Sequence, residues 1–252
     1  MKVNYDNVSA IYDDRYKDSK MPGIEKKLLQ IIEEKNYKKV LEAGCGTGHW
    51  IKKIPNLDFA TGFDLSKGML KKYPKPDSVS FVCTNADVLP LKNEQIDFIY
   101  CVNAIHHFTY PYQFIQNAYS KLKPGGMLAI FGTNPSEPIN NWYIFDYFDG
   151  VFETEVKRFP NTEKLQKCLT DSGFKENFFE IVDVVKREKT NYEIFDDLFL
   201  VKNATSELAL ISQEEYDLGI KKMKAKIEEN KLLDVDTKFN TYLNFYMIAG
   251  IK

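Results

Sequence analysis

The fold of this chain is decided by the stretch Val40-Leu41-Glu42-Ala43-Gly44-Cys45-Gly46-Thr47-Gly48. It reads as a strand that runs directly into a turn with three glycines at alternate positions. Glycine adopts backbone conformations that a Cβ would exclude, so such a turn brings its N–H groups close to a ligand. An apolar-periodic helix at residues 24–34 precedes the strand, and we expect a second helix at residues 49–54. Strand, glycine turn and helix together predict the nucleotide-binding corner of a doubly wound α/β sheet.

The spacing of the glycines distinguishes between classes of nucleotide site. A dinucleotide fingerprint has glycine at its first, third and sixth positions. Gly44 and Gly46 match the first two, but His49 occupies the sixth, and no Lys-Ser or Lys-Thr pair of a P-loop follows. The pattern Glu-x-Gly-x-Gly-x-Gly instead resembles the first motif of the class I S-adenosylmethionine-dependent methyltransferases of the small-molecule type. This resemblance implies that Gly44, Gly46 and Gly48 hold the cofactor S-adenosylmethionine.

Two carboxylates stand where the next strands are expected to end. Residues 59–64 read as a second strand ending at Asp64, about 20 residues after the first glycine, where a carboxylate accepts hydrogen bonds from ribose hydroxyls. Asp87 follows the third strand, residues 79–84, and is placed to accept from the adenine amino group. Aspartate also caps helices and begins turns, but ligands bind at the carboxyl ends of such strands. The two positions together therefore predict a role for both residues in cofactor binding.

The resemblance to the methyltransferase core covers residues 38–132, with the fourth and fifth strands expected at residues 96–102 and 127–131. Met69 is expected to offer apolar surface to adenine, and Ser66 to cap the helix that carries it. The resemblance implies further cofactor contacts beside the strand ends, from Leu65, Met69, Val88 and Asn103.

The complete fold implied by the resemblance is α/β, a doubly wound, Rossmann-like seven-stranded sheet with an antiparallel last strand and helices on both faces. The last strand is inserted between its neighbours, whereas related dinucleotide dehydrogenases keep the sheet parallel. Residues 239–248 are apolar and β-prone, as this strand requires. The predicted organisation is an N-terminal lid at 1–20, a cofactor-binding Rossmann-like core at 21–135, and a substrate-proximal insertion with completion of the sheet at 136–252.

The C-terminal part is predicted to mix helices and strands. Its first helix stops at Gly173, and its last helix begins with a capping box formed by Ser212 and Glu215. The predicted elements are a helix at 162–172, a strand at 178–185, a helical insertion at 192–201 and a helix at 212–229.

The N-terminal arm carries Ala10, Tyr12, Asp13 and Arg15 in the pattern Ala-x-Tyr-Asp-x-x-Arg. In similar methyltransferases such a segment folds over the cofactor as a lid. Tyr12 can cover apolar surface while donating a hydrogen bond, and Arg15 can pair with the methionine carboxylate of the cofactor. The alternative is a frayed terminus with incidental tyrosines.

The composition limits the partners of the protein. The 252 residues are 44% hydrophobic and carry a net charge of −2, so no basic face for nucleic acid is expected. No apolar run has the length of a signal peptide or a membrane span. The four cysteines show no Cys-x-x-Cys spacing, which predicts a reduced cytoplasmic protein without structural metal.

His106 and His107 end the fourth strand, beside the position expected for the transferred methyl group. An imidazole that titrates near neutral pH suits a general base for a hydroxyl acceptor. Adjacent residues at a strand end point in different directions, so we expect one of them to face the substrate. A structural role for both is the alternative.

Aromatic residues follow the fifth strand and could build walls for a planar acceptor. Residues 142–148 with Phe152 would form one wall, and Tyr192, Phe195 and Phe199 the other. The alternative is that these side chains only pack the insertion onto the core.

The sequence thus predicts an S-adenosylmethionine-dependent methyltransferase that acts on an oxygen or nitrogen of a small molecule. Two alternatives stay open. One is a carboxyl O-methyltransferase of a peptide or organic acid, and the other is an inactive binding subunit with the methyltransferase fold. The expected partner is a small-molecule or short-peptide methyl acceptor, without nucleic acid or membrane, and no pattern indicates the oligomeric state.

Overall fold

The structure of the protein, a computed structural model, describes Tyr5, residues 21–72 and residues 79–252. Apart from Tyr5, the predicted lid at residues 1–20, including Tyr12 and Arg15, lies outside these residues. The chain divides into two compact units. The larger unit comprises Pro22–Thr133, Phe159–Asp183 and Phe245–Lys252, and the smaller unit comprises Asn134–Arg158 and Val184–Asn244 together with Met21.

The larger unit contains a parallel sheet whose strand order reverses beside the glycine turn. Its strands are β1 (Lys39–Ala43), β2 (Phe59–Asp64), β3 (Ser80–Cys83), β4 (Ile96–Val102) and β5 (Leu122–Gly132). Their order is β3-β2-β1-β4-β5, so β1 lies between β2 and β4. β1 and β4 are buried along almost their whole length, which is typical of a sheet covered on both faces.

The last strand, β8 (Lys238–Ile251), runs antiparallel to β5, from the pair Met127 and Ile251 to the pair Gly132 and Tyr246. β8 stands between β5 and β6 (Asn141–Trp142) and also pairs with β7 (Glu176–Thr190). The predicted antiparallel, inserted last strand is confirmed. The sheet has eight strands instead of the seven expected, because the loop after β5 adds the two-residue strand β6.

The helix caps predicted at Ser66, Gly173 and Ser212 are present in the structure. Ser66 accepts a hydrogen bond from the N–H of Met69, Gly173 ends its helix in a left-handed conformation, and Ser212 and Glu215 form the capping box. The helices are α1 (Pro22–Lys35), α2 (Lys67–Lys71), α3 (Pro111–Lys121), α4 (Tyr143–Tyr147), α5 (Val151–Arg158), α6 (Thr162–Ser172), α7 (Ser206–Ala209) and α8 (Gln213–Leu232). No described helix combines the length and apolar character that crossing a membrane requires.

The helix predicted at residues 49–54 is wrong. The structure has a single 3-10 turn there, at Ile51–Lys53. Gly48 still has a positive φ of 73°, so the glycine turn extends to that residue. Pro55 disfavours a helical conformation for Ile54, which is extended. The segment between the last glycine and the proline therefore holds only one turn.

The smaller unit has a hydrophobic core of its own. The rings of Trp142 and Phe199, which belong to the two predicted acceptor walls, contact each other with centroids 6.4 Å apart. Tyr143 and Phe148 are buried in the same cluster, with α8 residues such as Met223. The insertion predicted as helical at residues 192–201 forms two 3-10 turns, Asn191–Asp196 and Leu198–Leu200. Most of these aromatic side chains thus pack the smaller unit itself.

Candidate functional site

The glycine turn after β1 requires glycine at its first position. Gly44, Gly46 and Gly48 have φ values of 71°, 55° and 73°, in the left-handed region that other residues rarely adopt. A Cβ on Gly44 would lie 2.5 Å from the Cβ of Ala104. The N–H of Gly44 donates to the carbonyl oxygen of Phe63 at 2.7 Å, which ties the turn to β2. The turn therefore fits closely between the carboxyl ends of β2 and β4.

Asp64, at the end of β2, is held by the backbone of two neighbouring segments. Its Oδ2 accepts a hydrogen bond from the N–H of Gly46 at 2.8 Å, and its Oδ1 accepts one from the N–H of Ser66 at 2.8 Å. A carboxylate has about four acceptor positions, and each of these backbone donors uses one of them. The side chain is thus oriented by the glycine turn, at the carboxyl end of the strand where hydroxyl donors of a ligand could reach it.

Asp87 carries a buried acceptor that no donor satisfies. The residue is 5% exposed, and its Oδ2 accepts from the N–H of Tyr110 at 3.2 Å. Its Oδ1 is buried and has no hydrogen-bond partner in the described part of the chain. Asn117 donates to the backbone carbonyl of Asp87, and this bond fixes the loop. A buried acceptor left unpaired costs about 1–3 kcal/mol, so its presence at a strand end points to a donor on a ligand.

Two apolar side chains next to these carboxylates are exposed. Leu65 follows Asp64 and is 60% exposed, and Val88 follows Asp87 and is 61% exposed. Both are therefore available to cover an apolar ligand face. Met69, for which the same role was expected, is 1% exposed and lies in the core, so it presents almost no surface to a ligand.

Asn103 terminates β4 in a left-handed conformation with φ 49°. Its N–H donates to the carbonyl oxygen of Phe131 at 2.9 Å, so the end of β4 is anchored to β5. Ala104, the next residue, is the one that a Cβ on Gly44 would strike. Asn103 thus stands next to the residue that borders the glycine turn.

The two histidines differ from expectation in their arrangement. Ile105–His107 form a 3-10 turn, in which the N–H of His107 donates to the carbonyl oxygen of Ala104 at 2.9 Å. Because the backbone turns here instead of staying extended, the imidazole rings do not diverge. Their centroids lie 3.9 Å apart with an interplanar angle of 54°. His106 also stacks on Phe159, with ring centroids 3.9 Å apart and an interplanar angle of 12°.

Glu42 is a residue of the site whose role the sequence reasoning missed. Its side chain is 1% exposed, and its Oε2 accepts from the N–H of Ile51 at 3.0 Å and from the hydroxyl of Tyr100 at 3.1 Å. Burial raises the pKa of this carboxyl to about 8. The signal was present in the sequence, since an acidic residue inside an apolar strand must find donors when buried. Glu42 joins β1, β4 and the segment after the glycine turn.

Metal ligands do not gather at this edge of the sheet. Within the described residues, no group of three or more His, Cys, Asp or Glu side chains is placed to hold a metal ion. The arrangement instead combines a glycine turn with positive φ angles, a carboxylate at the end of β2, a second one in the loop after β3, and two imidazoles. Such a set can bind a nucleoside through its hydroxyls and amino group, and can accept a proton nearby.

Comparison with known proteins identifies the family that the glycine motif resembles, the S-adenosylmethionine-dependent methyltransferases. A family model described as a methyltransferase domain matches residues 41–130, which span β1 to β5. An uncharacterized protein of Methanocaldococcus jannaschii is 36% identical over 196 residues, covering 75% of this chain and 75% of that protein. The demethylmenaquinone methyltransferase of Listeria welshimeri is 26% identical over 179 residues, covering 59% of this chain and 75% of the enzyme.

A solved structure supports the fold. Phosphoethanolamine N-methyltransferase 2 of Haemonchus contortus, in complex with phosphomonomethylethanolamine and S-adenosylhomocysteine, matches with a TM-score of 0.52 at 19% identity. The match covers 85% of this chain and 49% of that chain. With its glycine motif, strand order and antiparallel last strand, the chain belongs to the class I S-adenosylmethionine-dependent methyltransferases and is an enzyme of that family.

Proposed function

We propose that this enzyme transfers the methyl group of S-adenosylmethionine to an oxygen or nitrogen atom of a small molecule. The cofactor assignment rests on the unpaired, buried Oδ1 of Asp87. Asp87 follows β3, the strand that neighbours β2, and β2 ends at Asp64. Asp87 accepts from the adenine amino group, and Asp64 accepts from the ribose hydroxyls. Leu65 and Val88 cover the base, and the backbone of Gly44, Gly46 and Gly48 leaves space for the rest of the nucleoside.

The four other predicted cofactor contacts differ in the observations that support them. Asn103 stays a candidate, since it lies at the end of β4 next to Ala104. Tyr12 and Arg15 remain predictions from the resemblance. Met69 is a buried residue of α2 whose N–H donates to the Ser66 cap, and its contact with adenine stays a prediction.

The catalytic contribution of the chain is alignment, exclusion of water and removal of a proton. When bound, S-adenosylmethionine supplies a methyl group activated by the positive charge on sulfur. Alignment of the reacting atoms can lower the barrier of such a displacement by roughly 7–11 kcal/mol. His106 or His107 takes the proton from a hydroxyl or ammonium acceptor, which contributes typically about 10²–10⁴-fold. Two imidazolium charges in contact would repel each other, so the pair favours a state in which one ring is neutral.

The choice of acceptor is supported by the names of similar proteins and by charge. The Listeria relative is named for demethylmenaquinone, and the Haemonchus structure contains phosphomonomethylethanolamine, both small molecules. The net charge of −2 gives no electrostatic reason to expect nucleic acid. These names and the charge support a small-molecule acceptor, and the choice of an oxygen or nitrogen atom rests on the histidine pair as a proton acceptor.

The cofactor assignment is tested by calorimetric titration of S-adenosylhomocysteine into Asp87→Asn and the parent protein. The amide can present a donor where adenine requires an acceptor, so we expect affinity to fall about 10–100-fold. Asp58→Asn is the matched control, because Asp58 is exposed. Equal affinity in all three proteins would contradict the assignment of Asp87.

The reaction class is tested with S-adenosylmethionine labelled in its methyl group. A hydroxyl acceptor such as 1,4-dihydroxynaphthalene, the amine phosphomonomethylethanolamine and the carboxylate benzoate are compared side by side. Transfer to the first or second compound supports the proposal. Transfer to benzoate alone would favour a carboxyl methyltransferase. Binding of S-adenosylhomocysteine without transfer to any of the three would favour a binding subunit.

A further inference from the structure

We infer that Phe159 is a positioning residue, which holds the imidazole of His106 against that of His107. The inference rests on the proposed function, since the histidine pair is there the proton acceptor. Phe159 lies about 50 residues further along the chain than the histidines and belongs to no motif of the glycine-turn core. It belongs to the same compact unit as the histidines, because the larger unit resumes at this residue.

The ring contact is unusually close for this protein. The centroids of Phe159 and His106 are 3.9 Å apart, and the planes are inclined by only 12°. Near-parallel pairs elsewhere among the described residues of the larger unit are wider, with 5.3 Å for Phe98 and Tyr100, 5.8 Å for Tyr37 and Phe98, and 5.9 Å for Phe179 and Tyr246. His106 therefore has one face covered by a benzene ring, while His107 lies 3.9 Å away. A ring confined in this way cannot rotate freely about its Cβ–Cγ bond.

The backbone on both sides of the contact is fixed. Pro160 is buried and restricts the conformation of Phe159 to the extended region. Asn161 then caps α6 by accepting a hydrogen bond from the N–H of Lys164 at 2.9 Å. α6 is anchored in the core through Leu165 and Leu169, which are fully buried. Phe159 is thus presented to His106 from the start of a well-packed helix.

The stack has two chemical consequences for the histidine pair. It fixes the orientation of the His106 ring, and thereby the direction in which its nitrogen atoms lie. The negative face of the phenyl ring also attracts a positive charge on the imidazole. Proton uptake by the pair is then favoured on His106, which leaves His107 as the neutral ring. Phe159 acts on the reaction through His106 and needs no contact with the acceptor.

Proton NMR of the histidine rings tests this inference directly. The chain has only three histidines, so the carbon-bound ring protons can be assigned with His49→Gln and His106→Gln. In the parent protein we expect an upfield shift of the His106 ring protons and a through-space cross peak to His107. Phe159→Leu keeps an apolar side chain but removes the aromatic face, so both signals should be lost. Phe159→Tyr keeps the face and should restore them.

Controls separate positioning from general damage. Phe152→Leu changes an exposed phenylalanine in the smaller unit and should leave both signals unchanged. Affinity for S-adenosylhomocysteine and the melting temperature report whether Phe159→Leu is folded. If the folded Phe159→Leu protein keeps the cross peak and the upfield shift, the positioning role is wrong. The base role is measured separately, through methyl transfer by His106→Ala and His107→Ala, so the two ideas can fail independently.

Discussion

The N–H of Gly46 donates a hydrogen bond to Oδ2 of Asp64 at 2.8 Å, and this bond joins the glycine turn after β1 to the carboxylate at the end of β2. The two sequence features that indicated the family are therefore one hydrogen-bonded unit. We therefore expect a substitution at either residue to change the conformation of the other.

Asp64→Asn should weaken binding of S-adenosylhomocysteine and also lower stability. The amide has a single acceptor oxygen, so one of the two N–H groups of Gly46 and Ser66 loses its partner. We expect about 1–3 kcal/mol lower unfolding free energy and a comparable loss of binding free energy. Urea unfolding and calorimetry measure the two effects. Loss of affinity with unchanged stability would mean that the turn does not depend on the carboxylate.

Gly44→Ala should destabilise the protein more than the same change at Gly150. Both glycines have nearly equal positive φ values, 71° and 73°. A Cβ at position 44 meets Ala104 at 2.5 Å, whereas a Cβ at position 150 meets nothing within 4 Å. We expect a loss of about 1 kcal/mol at Gly150 from backbone strain alone and about 3 kcal/mol or more at Gly44. Equal urea midpoints for the two variants would show that the turn can move aside.

Stability should fall as the pH rises toward the raised pKa of Glu42. In the folded protein this carboxyl has a pKa of about 8, against an ordinary value of 4.5. Between these values the folded state keeps a proton that the unfolded state has released. The free energy of unfolding therefore decreases between about pH 4.5 and 8, by at most about 1.4 kcal/mol per pH unit, and levels off above.

Glu42→Gln should flatten this dependence. The amide is neutral at every pH and still offers an oxygen to the N–H of Ile51 and the hydroxyl of Tyr100. Urea midpoints from pH 5 to 9 compare the variant with the parent protein. Glu33→Gln, an exposed change, serves as the control. Parallel curves for all three proteins would remove Glu42 as the source of the dependence.

The two histidines should contribute unequally to methyl transfer. With a hydroxyl acceptor, alanine at the residue that removes the proton should lower kcat about 10²–10⁴-fold, with little change in the affinity for S-adenosylhomocysteine. Because the face of Phe159 favours the protonated form of His106, His106→Ala should have the larger effect on kcat. With a carboxylate acceptor neither change should matter, because the nucleophile is already ionised. Full activity of both variants on a hydroxyl acceptor would give the pair a structural role.

Local patterns predicted the sheet well. The bounds of β2 and β4 agree with expectation, because apolar runs of strand length ended at clear polar or turn residues. β5 begins earlier than expected, at Leu122, although its first residues include Pro124 and two glycines. There the N–H of Gly125 donates to the carbonyl oxygen of Lys252 at 2.9 Å, a partner that sequence periodicity does not reveal.

The site was predicted less completely than the fold. Asp64 and Asp87 could be placed because parallel strands end at one edge of the sheet. The burial of Met69, the ring contact between Phe159 and His106 and the donors to Glu42 depend on segments that are distant in the chain. The aromatic residues after β5 gave no indication of whether they face a ligand or one another.

The unpaired Oδ1 of Asp87 has a consequence for the lifetime of the protein in a cell. A protein with an unsatisfied buried acceptor opens more readily than the same protein with a ligand donor paired to that acceptor. Proteases attack such opened states, so degradation should slow when the nucleoside ligand is plentiful. Limited proteolysis with and without S-adenosylhomocysteine should show this protection, and Asp87→Asn should reduce it. The abundance of the enzyme would then follow the supply of its own cofactor.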